Sequence, residues 1–137
     1  MDAVLIIGRV LFALIFINMG VMHLAKTEVM SAYATYKKVP AAKLAVIVSG
    51  LMILVGGLYV ASGVYADLGA LLIASFLIPT AFIMHAFWKE SDATAKQNEM
   101  SGFFKDIALA GAALIIFVLV GSGANFGPSV TSAFFNF

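Results

Sequence analysis

Apolar residues are concentrated in four long stretches of the chain, separated by segments that carry most of the charges. Each stretch approaches or reaches the roughly 20 residues that an α-helix needs to cross the hydrocarbon of a bilayer. Because lipid offers no hydrogen bonds to a backbone, these stretches are predicted to be helices packed together in a bundle. The predicted spans are, approximately, residues 3–24, 42–63, 67–88 and 104–121.

The connections between the predicted spans differ in length and in what they predict. Residues 64–66 allow only a tight turn, so the second and third spans are expected to be antiparallel neighbours. Residues 25–41 are long enough for a short helix lying in the membrane interface, which Pro40 prevents from continuing. Residues 89–103 are polar and are interpreted as a connection, and residues 121–137 are expected to rest on the interface with a frayed end.

The composition supports a membrane protein. Apolar types make up 63% of the residues and charged types only 11%, whereas a soluble domain has about a quarter charged residues. We therefore interpret residues 1–137 as a single all-α domain, a bundle of four transmembrane helices with a short interfacial helix between the first two. The net charge of +1 argues against binding to nucleic acid, and the absence of cysteine excludes a disulfide framework.

The distribution of lysines predicts the orientation. Positive residues favour the cytoplasmic side of a membrane. The opposite side has only Arg9, within the first span, so the lysine side is predicted to be cytoplasmic and both termini external. Seven lysines lie in or beside the connections after the first and third spans: Lys26, Lys37, Lys38, Lys43, Lys89, Lys96 and Lys105.

Two ionisable residues are predicted to lie near the outer leaflet. Arg9 in the first span and Asp67 at the start of the third reach similar depths, because these two spans run in the same direction. Ionisable residues within a span usually pair or mark a functional path. We expect a structural ion pair between Arg9 and Asp67. The alternative is that Arg9 extends its guanidinium to the membrane surface without an acidic partner.

Four other polar residues are predicted to gather near the inner leaflet: His23, His85, Lys105 and Asp106. His85 shares a helical face with small residues such as Ala81, so we expect it to face protein. The alternative is structural: the histidines bond to helix ends, and Asp106 only complements the helix dipole. Two histidines are too few for a closed metal site, so no metal is predicted.

Six segments of the chain together suggest a known family. They are, in chain order, "GRVLFALIFINMGVMHL", "YATYKKVP", "GGLYVASG", "TAFIMHAFW", "FFKDIALAGAALII" and "GSGA". Their order resembles the DoxX family of small four-helix membrane proteins. Many members have Lys where His23 stands, Asn where Asp106 stands, and Glu in the second helix where Ile53 aligns. The resemblance implies a loose functional range: membrane subunits of quinone-linked sulfur oxidation, partners of redox-defence enzymes, and proteins without an assigned activity.

The first functional hypothesis is a membrane subunit of a quinone-linked oxidoreductase system. A quinone needs an apolar slot, an aromatic wall and hydrogen-bond donors at its carbonyls, and the inner-leaflet end of the bundle has residues of these types. Lys105 and Asp106 would move protons. The candidate residues for binding a quinone cofactor are His85, His23, Trp88, Asp106, Lys105 and Tyr33.

Two other hypotheses remain open from the sequence. The protein could be a non-catalytic membrane anchor or assembly subunit for a larger complex, in which case its polar residues are structural. A small transporter is a third possibility, which would require oligomers because one four-helix bundle is small for a pathway. In every case we expect a multi-pass protein of a prokaryotic inner membrane, in contact with lipid and with a protein partner or further copies of itself. No catalytic residue can be assigned.

Overall fold

The computed structural model describes residues Met1–Phe137 and contains helices and no strands. Four of the helices are long and apolar enough to cross a membrane, and a short helix follows the first of them. The predicted all-α fold with four spanning helices is therefore confirmed. The helices are α1 Asp2–Ala25, α2 Thr27–Tyr36, α3 Ala42–Ser62, α4 Ala66–Met84, a 3₁₀ helix Phe87–Lys89, and α5 Ala93–Gly121.

The start of the last span differs from the prediction. The third span agrees with it, since α4 ends at Met84 and the span continues through the 3₁₀ helix to Lys89. α5 begins well before residue 104, because the Asp92 carboxylate accepts a hydrogen bond of 2.8 Å from the Ala95 amide and caps the first turn. With 29 residues, α5 is about 44 Å long, which exceeds the roughly 30 Å of hydrocarbon. Part of α5 therefore extends beyond the hydrocarbon.

The spanning helices pack in chain order. α1 lies mainly against α3, α3 against α4, and α4 against α5, while α2 rests on α3. The buried core includes side chains from all four spanning helices, such as Phe16, Ile53 and Ala113. Gly50 allows α1 to approach α3 closely, because a Cβ at this position would lie 2.6 Å from the Cβ of His23. The approach of the two helices fixes the position of His23.

Residues 122–137, which we call the C-terminal segment, fold back across the end of the bundle where α3 ends and α4 begins. The Thr131 amide donates to the Gly63 carbonyl at 3.3 Å. Phe135 packs edge-on against Phe117 of α5, with ring centroids 5.4 Å apart. The expectation of a frayed end is therefore wrong, because this segment bonds to the helices and packs its aromatic rings on them.

The predicted ion pair between Arg9 and Asp67 is also wrong, because both side chains bond to the C-terminal segment instead. The Arg9 guanidinium donates to the carbonyls of Phe126, at 3.2 Å, and Pro128. Asp67 is fully buried and accepts hydrogen bonds from two consecutive backbone amides of the segment, at 2.9 and 2.7 Å. A non-helical backbone needs partners for its N–H and C=O groups, and these two charged side chains supply several of them.

Candidate functional site

The imidazole of His85 lies between two carboxylates of α5. Its Nδ1 is 2.8 Å from Oε2 of Glu99, and its Nε2 is 3.5 Å from Oδ2 of Asp106. Glu99, Gly102 and Asp106 are separated by three and four residues, so they lie on one face of the helix. Gly102 leaves room for the ring, because a Cβ there would lie 2.6 Å from Nδ1.

An aromatic cluster holds the turn that carries His85. Its members belong to α4, the 3₁₀ helix and α5, and neighbouring ring centroids lie 5.2 to 6.2 Å apart. The cluster joins the two helices immediately beside His85 and so keeps the imidazole against α5. The aromatic cluster consists of Phe82, Phe87, Trp88, Phe103 and Phe104.

α2 and the residue that follows it add two side chains to this arrangement, four residues apart. The Lys37 ammonium lies 3.1 Å from Glu99 and 3.5 Å from Glu90. The Tyr33 hydroxyl donates to Glu99 at 3.2 Å. Glu99 therefore joins α2 to His85, and we call Tyr33, Lys37, Glu90, Glu99, Asp106 and His85 the His85 network.

The surroundings of Tyr33 and Lys37 raise the pKa of both side chains. Burial is the largest cause for Tyr33, and the negative charge of Glu99 raises its pKa further above 10.0. For Lys37, burial alone lowers the pKa, but the hydrogen bond to Glu99 and the charges of Tyr33, Glu99 and Glu90 outweigh it, so its pKa lies above 10.5. Near neutral pH, Tyr33 is uncharged and Lys37 carries a full positive charge.

The His85 network places a carboxylate near each nitrogen of the imidazole. Carboxylates accept hydrogen bonds, and an imidazole N–H donates them. The network therefore brings together an imidazole and carboxylates, which are groups that can exchange protons. No group of three or more His, Asp or Glu side chains in the chain has the geometry to hold a metal ion.

An apolar cavity of about 390 Å³ adjoins the His85 network. Of its 18 lining residues 12 are hydrophobic, and its volume falls in the range typical of small-molecule sites, roughly 300–1,000 Å³. Val48 and Ile83 line it and are about half exposed, so the cavity opens on the lipid-facing surface. Its polar lining residues are His23, Tyr33, Ser49, Ser75, Thr80 and His85, and its methionines are Met19, Met30, Met52 and Met84.

His23 forms part of the opposite wall of the cavity from α1. Its Nδ1 lies 2.8 Å from the Met19 carbonyl, and its ring meets Phe76 edge-on at a centroid distance of 6.0 Å. The side chain is buried, with 9% of the residue exposed. His23 does not take part in the His85 network, so the two histidines line the cavity without sharing a hydrogen bond.

The structure brings together some of the candidate quinone-binding residues and not others. His23, Tyr33 and His85 line the cavity. Asp106 contacts His85 but is not part of the cavity wall. The two remaining candidates also lie outside it: the ammonium of Lys105 is half exposed and 3.9 Å from Asp106, and Trp88 belongs to the aromatic cluster.

Three residues of this site were missed by the sequence interpretation: Glu99, Lys37 and Gly102. Interpretation of residues 89–103 as a connection concealed the helical spacing that places Glu99 and Gly102 on the face of Asp106. The signal that could have revealed it is Asp92, which is a preferred residue for a helix N-cap. Lys37 was used only to predict the orientation, although it lies four residues after Tyr33 and so on the same helical face.

The cavity lies within the part of the chain that matches a known family. Comparison with curated proteins and with solved structures gave no match. The family model of DoxX matches residues 4–86, more than half of the 137-residue chain. The matched region contains all residues that line the cavity and ends just after His85, whereas Glu99 and Asp106 lie beyond it. The chain therefore belongs to the DoxX family.

Proposed function

We propose that this DoxX-family protein is the membrane subunit of a quinone-linked oxidoreductase system and holds the quinone headgroup in the apolar cavity. The cavity has the size of a small-molecule site and a mostly hydrophobic wall. Its mouth lies where a lipid-soluble molecule would enter, between half-exposed Val48 and Ile83. Methionines in the wall can adjust to a flat ring or an isoprenoid tail because their side chains are flexible.

One observation carries this proposal: His85 contacts both the cavity and the carboxylates of α5. The same residue lines the cavity and lies 2.8 Å from Glu99. Interconversion of a quinone and a quinol moves two electrons and two protons, so such a site needs an apolar pocket beside groups that exchange protons. A purely structural polar residue would not need to lie at the boundary between the two.

In this proposal the protons and the electrons follow different routes. His85 exchanges protons with Glu99 and Asp106, and the ammonium of Lys37 stabilises the negative charge of Glu99. The electrons are exchanged with a protein partner in the same membrane. We place the protein in a prokaryotic inner membrane with the lysine side in the cytoplasm, so the network meets water on the cytoplasmic side.

Filling the cavity tests the proposal. Ser49 lines it, so Ser49→Phe places a ring inside, and overpacking typically costs about 1–3 kcal/mol. We expect Ser49→Phe to weaken retention of decylubiquinone by the purified protein by roughly 5- to 150-fold. The measurement is equilibrium binding in detergent, with quinone extracted from the native preparation quantified in parallel.

Ile47→Phe is the matched control, since Ile47 is on the same helix and does not line the cavity. It should bind decylubiquinone like the wild type. Equal binding by Ser49→Phe and wild type would exclude the cavity as the quinone site. A wild-type protein that binds no quinone and co-purifies with a protein partner would favour the anchor or assembly role instead.

A further inference from the structure

His23 has one ring nitrogen that nothing in the chain satisfies. The residue is more than nine-tenths buried and lines the apolar cavity. Its Nδ1 is bonded to the Met19 carbonyl, whereas its Nε2 has no hydrogen-bond partner in the chain. Nε2 is not among the enclosed side-chain atoms that lack a partner, so this nitrogen of a largely buried residue can be reached, and it can bond to an atom of a molecule in the cavity.

The Met19 carbonyl decides which nitrogen carries the proton. A carbonyl oxygen can only accept, so Nδ1 must donate to it and holds the N–H. In the neutral ring Nε2 then has a lone pair and is a hydrogen-bond acceptor. The open position at His23 is therefore suited to a group that brings its own hydrogen.

A second acceptor lies in the wall of the same cavity. Pro79 has no N–H, so the Ser75 carbonyl lacks the amide that would normally bond to it in α4. Both residues line the cavity. Ser75 also has a hydroxyl at the exposed rim, which can donate or accept, whereas its carbonyl can only accept.

The donors in the cavity wall, by contrast, are mostly engaged. The hydroxyl protons of Ser49 and Thr80 go to carbonyls of their own helices, at 3.2 and 2.7 Å. The Tyr33 hydroxyl donates to Glu99, and both ring nitrogens of His85 face carboxylates. The buried wall offers acceptors and few spare donors.

We propose that the apolar cavity binds the reduced, hydroxyl-bearing form of its ligand, a quinol or another phenol, with the ligand O–H donating to Nε2 of His23. A quinone carbonyl can only accept and would face the lone pair of Nε2 without a hydrogen between them. The choice of a quinol as the ligand rests on the proposed function. The recognition of a phenolic hydroxyl follows from His23 and Ser75 alone.

A pair of probes that differ only in the hydroxyl tests this inference. 4-Hexylphenol and 4-hexylanisole share a ring and a tail, but only the phenol has an O–H. We expect the purified full chain in detergent to bind the phenol about tenfold more tightly, as one hydrogen bond predicts. In His23→Phe, which keeps the Cβ that packs on Gly50, the two probes should bind equally.

A measurement on the wild type does not depend on whether the variant folds. The chain has only two histidines, so ¹⁵N-labelled histidine gives few ring signals, and His85→Phe assigns those of His23. The Nε2 signal of His23 should shift with 4-hexylphenol and not with 4-hexylanisole. Equal binding of the two probes, or an Nε2 signal unmoved by saturating phenol, overturns the inference.

Binding of decylubiquinol and decylubiquinone separates this inference from the proposed function. Tighter binding of the quinol, lost in Ser49→Phe, supports both. If the quinone binds as tightly as the quinol or more tightly, and Ser49→Phe abolishes this binding, the inference is overturned and the proposed function stands. Binding of neither form, with the phenol preference present, overturns the quinone function and supports phenol recognition by His23.

Discussion

Gly102 of α5 lies directly beneath the imidazole of His85, with no room between them for a side chain. Gly102→Ala would push the ring away from Glu99 and Asp106. We expect it to lower the free energy of unfolding by about 1–3 kcal/mol, the usual cost of overpacking a well-packed site. The measurement is thermal or denaturant unfolding of the purified protein in detergent.

Gly111→Ala provides the control for this substitution. Gly111 is on the same helix, and a Cβ there would have no heavy atom within 4 Å. Alanine should therefore leave stability unchanged or raise it by up to about 1 kcal/mol through its helix propensity. If both variants were equally stable, Gly102 would not be needed to accommodate His85.

His85 and Glu99 should be energetically coupled. Charge-assisted hydrogen bonds contribute roughly 1.5–3 kcal/mol, and their nitrogen and oxygen are 2.8 Å apart. In a double-mutant cycle of His85→Phe and Glu99→Gln, the two losses of stability should sum to about 0.5–3 kcal/mol more than the loss in the double variant. Simple additivity would show that they do not interact. The exposed pair Lys43 and Glu28 should give a coupling of at most about 1 kcal/mol.

The raised pKa values of Tyr33 and Lys37 predict a loss of stability in alkali. Both groups hold their protons more tightly in the folded chain than at the ordinary values of 10.0 and 10.5. The folded state therefore binds more protons in this range, so the free energy of unfolding falls as pH rises above about 10. Below that pH the stabilisation is fully present.

Melting temperatures measured from about pH 8 to about pH 12 check this dependence. Replacement of both residues, by Tyr33→Phe and Lys37→Met, should flatten the alkaline decline. The neighbouring replacements Tyr36→Phe and Lys38→Met alter side chains with no hydrogen bond to Glu99 and should preserve it. A decline of equal steepness in both double variants would contradict the assignment.

Arg9 should hold the C-terminal segment against the bundle. Arg9→Met removes the charged donor that bonds to the carbonyls of Phe126 and Pro128, and a hydrogen bond to a charged group contributes about 1.5–3 kcal/mol. We expect the segment to detach and chymotrypsin to cleave it at its phenylalanines at least several-fold faster. Gly8→Ala, where a Cβ meets nothing within 4 Å, should be cleaved like the wild type. Unchanged cleavage of Arg9→Met would refute the anchoring role.

The orientation can be tested with single cysteines, because the chain has none of its own. Gln97 and Ser132 are exposed near opposite ends of the bundle. An impermeant maleimide applied to sealed, right-side-out cells should label Ser132→Cys and leave Gln97→Cys unmodified until the membrane is opened. The reverse pattern would invert the orientation, and labelling of both from outside would contradict the four-span arrangement.

The sequence was sufficient to predict the spanning helices, because their number depends on the length of apolar stretches. It also placed His85 toward protein, since the small residues of α4 leave only one face for close packing. The helix beginning at Ala93 was not predicted, because residues 93–103 are polar on all sides and give no hydrophobic period. Their helix depends on the Asp92 cap and on contacts of Glu99 with α2 and His85.

The partners of Arg9 and Asp67 were unpredictable for a different physical reason. A sequence suggests pairs of opposite side-chain charge, but every residue except proline offers the same backbone donor and acceptor. Which backbone groups reach a buried charge depends on where a non-helical segment turns. Nothing in the composition of residues 122–137 indicates that they fold across the end of the bundle instead of lying on the membrane surface.

The C-terminal segment also sets the order in which the protein can be completed during synthesis. Arg9 enters the membrane with the first helix, whereas its acceptors lie 117 to 120 residues later in the chain. At roughly 5–20 residues per second, the ribosome needs on the order of 10 s to make them. The backbone amides that donate to Asp67 are likewise made later, since they lie 67 and 68 residues downstream. Both charges must therefore be accommodated by water, lipid headgroups or the insertion machinery until translation reaches the end of the fold.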